Sequence, residues 1–327
     1  MIRRLVLALV AALTPVVFAH ADTVYFTSKS EGSLFSFNWT ATTSGTIVAT
    51  PVRTGLLSPS GMALGPDGNL YVTETGSNRT GVITRVQPST GASSLVVSLP
   101  GTDPAGVTFL PNSGNMIVSS LAPDDSEAGI VLFEVSGWSG GSASANPYTA
   151  SLLLNGGAAV AAGPNDTVFV SNNPGYNGNV LGFTSGSAAP TTVIDNGFGS
   201  SQTAAPTGLL VDGSTLYSLS IIDGRLLKTD FSTETPTTIT RATLTPNPFP
   251  SSLTMLSNGS LLLATADFSG KFFVVDPLTG NSTDFVVSGA GQVGGVVAVP
   301  EPASLVLVAT GVAALGCMAR RRRGGLA

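Results

Sequence analysis

Apolar residues in this chain come in short runs, many alternating with small or polar positions, and clusters of Gly, Pro, Asn, Asp and Ser break them up. Runs of that length with a period near two read as β-strands joined by tight turns. The clearest unit spans Ser58 to Thr73. It predicts a strand at Gly61-Met62-Ala63-Leu64, a turn at Pro66-Asp67-Gly68 and a second strand at Leu70-Tyr71-Val72-Thr73. Variants follow. Gly106-Val107-Thr108-Phe109 leads to Met116-Ile117-Val118, Val160-Ala161-Ala162 to Val168-Phe169-Val170, Gly208-Leu209-Leu210 to Leu216-Tyr217, and Leu253-Thr254-Met255 to Leu261-Leu262-Leu263. Val296 to Val299 starts a sixth copy that goes no further.

First strands starting at 61, 106, 159, 208, 252 and 295 are spaced by 45, 53, 49, 44 and 43 residues. A period of about 45 is the size of one four-stranded propeller blade. Each second strand is followed by a polar loop ending in glycine and then a third strand, such as Ile130 to Val135 or Lys271 to Val275. The sixth copy lacks everything after its first strand. The N-terminal region supplies what is missing, a second strand at Thr23 to Thr27 and a third at Leu34 to Phe37. The pattern therefore predicts an all-β, six-bladed β-propeller over residues 22–299, closed by a blade shared between the two ends. A parallel β-helix would repeat at about 20 to 30 residues and would not need split ends.

The two termini follow other rules. Met1 to Ala21 carries Arg3 and Arg4, an apolar run from Leu5, and a small-x-small site at Ala19-His20-Ala21. This is the pattern of a secretory signal peptide over 1–21, with cleavage leaving Asp22 first. Thr14-Pro15 interrupts the run and disfavours a retained anchor. At the other end, residues 300–327, Pro300-Glu301-Pro302 precedes an apolar run from Ala303 to Ala319 and then Arg320, Arg321, Arg322 and Arg323. As a helix the run would rise about 26 Å, the short limit of a membrane span. The arginines would hold its far end in the cytoplasm. These residues resemble the PEP-CTERM sorting signal of Gram-negative bacteria. The resemblance implies that an exosortase acts near Pro-Glu-Pro and that the chain is held in the membrane by this helix until processed. It also implies delivery to the periplasm, cell surface or extracellular matrix.

Charge and rare residues then narrow the chemistry. Charged residues make up 10% of the chain, and between residues 22 and 299 eight Lys and Arg face 18 Asp and Glu. A net charge of about −10 on that stretch argues against nucleic acid and anionic membrane as partners of the domain. His20 and Cys317 are the only His and Cys, and both lie in the terminal segments. Ser-His-Asp and Cys-His catalysis, His- or thiolate-bound metals and disulfides are thereby excluded for the domain. Gly137-Trp138-Ser139-Gly140-Gly141 has the spacing of a nucleophile elbow but no His to serve as base. Gly289-Ala290-Gly291-Gln292-Val293-Gly294 has dinucleotide-binding spacing but leads into a strand. Both read as turns, and no catalytic residue is assigned.

The repeat, best in Gly61 to Arg79, resembles NHL-type and gluconolactonase-like propellers. For a lactonase the resemblance implies a Glu, an Asp and Asn residues holding a divalent metal at the channel mouth. Ser60 stands where an Asn would be expected, and no Glu precedes Gly295. Alternation of loops puts Asp67, Asp166 and Asp212 on one rim, where turn geometry explains them. The opposite rim would carry Glu31, Glu74, Asp124, Asp125, Glu127, Asp223 and Asp267, with Asn78, Asn172, Asn173, Tyr176 and Asn177. Such oxygens suit Ca²⁺ or Mg²⁺ or sugar hydroxyls, with Tyr176 able to stack; a solvated acidic edge is the plainer explanation. Three functions fit: a binding or structural surface protein for exopolysaccharide or another envelope component, a metal-dependent lactonase or hydrolase, and a spacer.

Overall fold

A computed structural model describes residues 21–121, 130–140, 143–149, 159–172, 178–184, 187, 189–194, 206–221, 224–232, 237–244 and 249–301. They form an all-β, six-bladed propeller. Blade one comprises Pro59–Leu64, Leu70–Gly76, Thr80–Val86 and Ser93–Pro100. Blade two has Asp103–Phe109, Met116–Leu121, Ile130–Ser136 and Ser144–Thr149. Blade three has Val160–Ala162, Val168–Asn172, Asn179–Phe183 and Thr192–Ile194. Blade four has Pro206–Asp212, Thr215–Ser220, Arg225–Asp230 and Thr237–Thr243. Blade five has Pro250–Met255, Leu261–Thr265, Lys271–Val275 and Ser282–Ser288.

Blade six takes strands from both ends of the chain. Val293–Pro300 lies innermost, followed outward by Ala21–Ser28, Ser33–Thr40 and Thr50–Thr54. The innermost pair is antiparallel, with Phe26 opposite Val296 and Thr23 opposite Val299. Between its last two strands the chain makes an excursion. Gly45–Val48 crosses to blade five and adds a fifth strand parallel to Ser282–Ser288.

The second strands read as nearly continuous apolar runs because both of their faces are buried between blades. Leu70 and Val72 face blade six, packing with Leu34 and Met62, whereas Tyr71 faces blade two, packing with Val107 and Met116. One such apolar cluster fills each gap between neighbouring blades. The gap between blades five and six is the most aromatic. Phe272 meets Phe26 and Phe37 edge-on, each with ring centroids 5.5 Å apart, and stacks on Phe285 at 5.6 Å. Edge-on and offset contacts of this kind add to what burial of the rings alone provides.

Both short motifs are turns. Gly137, at φ 68°, begins the connection from the third to the fourth strand of blade two. There the Trp138 indole N–H donates to the Gly114 carbonyl at 2.9 Å. Gly289 and Gly291, at φ 76° and 58°, bend the chain from blade five into blade six.

Candidate functional site

The innermost strands surround a central channel of about 560 Å³. They approach closely because small residues stand where neighbouring strands meet. A Cβ added to Gly61 would lie 2.2 Å from the Ala105 carbonyl oxygen, and one on Gly295 would lie 2.7 Å from the Met62 nitrogen. The wall consists of backbone, small residues and aliphatic side chains such as Met62, Val107, Leu209 and Val296. Lys29, beside Gln292, is the one charged residue among the described residues of the wall.

A ring of buried hydroxyls encircles the channel, and the sequence reading missed it. The inner strands are bulged where they pair with the second strands, in blades six, one, two, four and five. A bulge leaves backbone groups unpaired, and a buried backbone group must find another partner. Beside the bulge of blade two, Ser119 Oγ accepts from Gly106 N at 3.1 Å, and in blade three, which has no bulge, Ser171 Oγ accepts from Ala159 N at 3.0 Å just before the inner strand begins. Thr27 also reaches across a blade boundary. Its Oγ1 accepts from Gly295 N at 2.8 Å and donates to the Ser60 carbonyl of blade one at 2.6 Å. From the inner strand of blade four, the half-buried Thr207 donates to the Pro250 carbonyl of blade five at 2.7 Å. The sequence signal was the Ser or Thr closing most second strands after an apolar run, as in Phe26-Thr27, Val72-Thr73, Val118-Ser119 and Val170-Ser171.

The expected acidic rim is only partly within view. Asp124, Asp125, Glu127, Asn173, Tyr176, Asn177 and Asp223 lie outside the described residues, as do Ala19, Pro302 and Arg320 to Arg323. Glu31 is exposed in the turn between the second and third strands of blade six. Glu74 departs from expectation. It lies within the second strand of blade one, not in the loop, and is buried. Its Oε2 accepts from Leu57 N at 2.5 Å, pinning the segment that enters blade one. Asn78 adopts a left-handed backbone in a short turn, and the buried Asn172 donates to Asn179 at 2.7 Å.

Asp267 is exposed on the blade-five loop, and one oxygen, Oδ1, accepts from Thr265 Oγ1, Ser269 N and Ser269 Oγ. Partial burial pushes this carboxyl up, but the Ser269 and Thr265 hydrogen bonds outweigh it and hold the carboxyl below its ordinary value. Glu74 and Asp267 thus serve backbone and loop. Among the described residues no three Asp, Glu, His or Cys side chains gather where they could hold a metal ion.

The opposite rim shows structural carboxylates. Asp67 accepts from Asn69 N, Asn69 Nδ2 and Tyr71 O–H. Burial and the Asp67 contact together push the Tyr71 phenol well above its ordinary value. Asp166 reaches the preceding blade and accepts from Asn112 N at 2.8 Å and Ser113 N at 3.0 Å. Asp22 does the same, accepting from Ser257 N and Ser257 Oγ at 3.1 and 3.0 Å. Asp212 is exposed at its hairpin turn.

The last strand runs into Pro300, the first residue of Pro-Glu-Pro, and residues 298–323 match the model of the PEP-CTERM protein-sorting motif. The C-terminus is a PEP-CTERM sorting signal. The PEP-CTERM motif marks an exported protein sorted to the cell envelope and implies processing by an exosortase. No curated protein matches the chain. Among solved structures, a chain of a nidogen–laminin complex superimposes with a TM-score of 0.61 at 13% identity, covering 85% of this chain and 98% of that one. The periplasmic gluconolactonase of Pseudomonas aeruginosa gives 0.58 at 14% identity, with 86% and 100% covered. A putative 6-phosphogluconolactonase of Bacteroides fragilis gives 0.57 at 12%, with 87% and 99% covered. At these identities the likeness is one of fold.

Proposed function

We propose that this PEP-CTERM protein is a non-catalytic, envelope- or matrix-displayed propeller that binds exopolysaccharide or another envelope component. Binding is assigned to the rim formed by the loops between second and third strands. The observation that carries this reading is the channel wall. Its described residues present backbone, aliphatic groups, Ser and Thr hydroxyls, Phe109, Gln292 and Lys29, without a carboxylate, His or Cys. Such a wall supplies no pair of carboxylates for acid–base work and no carboxylate to neutralise a bound hard cation.

The competing reading is a metal-dependent lactonase, favoured by the fold shared with gluconolactonases. One experiment separates the two. Elemental analysis of the purified exported protein is combined with a lactone and phosphoester hydrolysis screen and co-sedimentation with exopolysaccharide from the producing cell. Co-sedimentation without stoichiometric divalent metal or turnover is the expected result. Bound metal with lactone turnover would replace the binding reading by the lactonase one.

A further inference from the structure

Asp22 has an anomaly that the fold does not explain. Its side chain is fully buried, and Oδ2 carries both hydrogen bonds from Ser257. Oδ1 is buried too, yet no donor reaches it. A buried carboxyl oxygen left without a partner is costly, and a native structure seldom keeps one without a reason. The residue also stands at a marked position, directly after the small-x-small site Ala19-His20-Ala21.

We infer that the missing partner of Asp22 Oδ1 is the α-ammonium group created when the chain is cut between Ala21 and Asp22. The inference rests on the signal-peptide reading of residues 1–21. In the cut, catalysed by a signal peptidase, water splits the Ala21–Asp22 amide. Its hydroxyl goes to the Ala21 carbonyl carbon, one proton goes to the Asp22 nitrogen, and that amine takes up a further proton from solvent at neutral pH. A peptide N–H at this position has one hydrogen to give. The ammonium has three, and it sits four bonds from Oδ1 on the same residue. It places a positive charge beside a carboxylate whose other oxygen is fixed on the blade-five turn. The new end of the chain is thereby clamped to its neighbouring blade.

The same cut changes the C-terminal side of the ladder. Asp22 lies opposite Pro300, and the Ala21 carbonyl accepts from Glu301 N at 3.2 Å. Removing Ala21 deletes that acceptor and releases Glu301 from the sheet, at the start of Pro-Glu-Pro. Maturation at the N-terminus thus tightens blade six at Asp22 and loosens it at the sorting motif.

The test compares chains that begin at Asp22, at Gly-Asp22, and at Asp22 with its amine acetylated, each with and without Asp22→Asn and all keeping the C-terminal segment. The chain starting at Asp22 should melt highest, by roughly 2 to 5 °C, as expected if a charge-assisted hydrogen bond forms. Asp22→Asn should cost more there than in the other two backgrounds. Equal melting temperatures of the three unsubstituted chains, or an equal cost of Asp22→Asn in all of them, would overturn the inference. The comparison of unsubstituted chains stands even if the variant does not fold. N-terminal sequencing of the exported protein tests the signal-peptide reading separately: a first residue other than Asp22 sinks that reading, whatever the melting experiment gives.

Discussion

Replacing Thr27 by Val tests whether the hydroxyl ring, and not apolar packing alone, holds the blades in register. The two side chains have nearly the same shape, and the site is fully buried. On hydrophobic grounds alone Val should be neutral or stabilising. The hydroxyl, however, serves Gly295 N at 2.8 Å and the Ser60 carbonyl at 2.6 Å, so Val leaves a buried donor and a half-buried acceptor without this partner. At about 1 to 3 kcal/mol for each orphaned group, the loss should come to about 2 to 6 kcal/mol. Thr27→Ser keeps both bonds and removes a methyl, at a cost of about 1 kcal/mol. Equilibrium unfolding in urea, followed by the fluorescence of Trp39, buried in the same blade, reads both variants. The order should be wild type, Ser, then Val. A Val variant as stable as the Ser variant would refute the reasoning and reduce the hydroxyl ring to incidental contacts.

Other outcomes follow from the same geometry. Gly61→Ala forces a methyl against the Ala105 carbonyl, and an overpacked site of this kind should lose about 1 to 3 kcal/mol in the same urea assay. Asp67, Asp267 and Asp276, the last accepting from Leu278 N and Thr279 Oγ1 in the turn between the third and fourth strands of blade five, are held below their ordinary values. Carboxyls of that kind add stability above the unfolded value of about 3.9 and lose it as pH falls through the folded value. Melting temperature should thus fall below about pH 4, less steeply in Asp67→Asn; an unchanged slope would remove Asp67 from the account. Calorimetry with Ca²⁺ should give equal heats for the wild type and Asp267→Asn, whereas a lost heat would place a cation on that loop. Replacing Glu301, or Arg320 to Arg323, should leave the melting curve intact and alter the distribution of the protein in a producing cell. An unchanged distribution after truncation behind Val299 would end the sorting role assigned to the tail.

The blade period was legible because each blade repeats one physical solution, an apolar strand pair around a Gly- or Asn-containing turn. The sorting signal was legible because its three parts are contiguous in the chain. Glu74 was misplaced because a carboxylate next to Gly76-Ser77-Asn78 looks like loop chemistry. Only the fold reveals that the Leu57 amide waits for it across the sheet. The hydroxyl ring escaped for a related reason. A Ser or Thr at the end of a strand resembles ordinary strand composition until the bulged partner strand shows which amide it serves. The crossing strand Gly45–Val48 had no sequence signal either, since four residues cannot announce which blade they will join.

The register of the closing strands also sets how the molecule bears load. Ala21 and Glu301 lie side by side at one end of an antiparallel pair, so pulling the two termini apart would open that ladder like a zip, one hydrogen bond at a time. A load between the C-terminus and a ligand on the far rim would run along Val293–Pro300 instead. The ladder to Ala21–Ser28 would then be sheared, and its bonds would have to yield together. Held by its tail and tugged by what it binds, the propeller would meet force in its stronger direction.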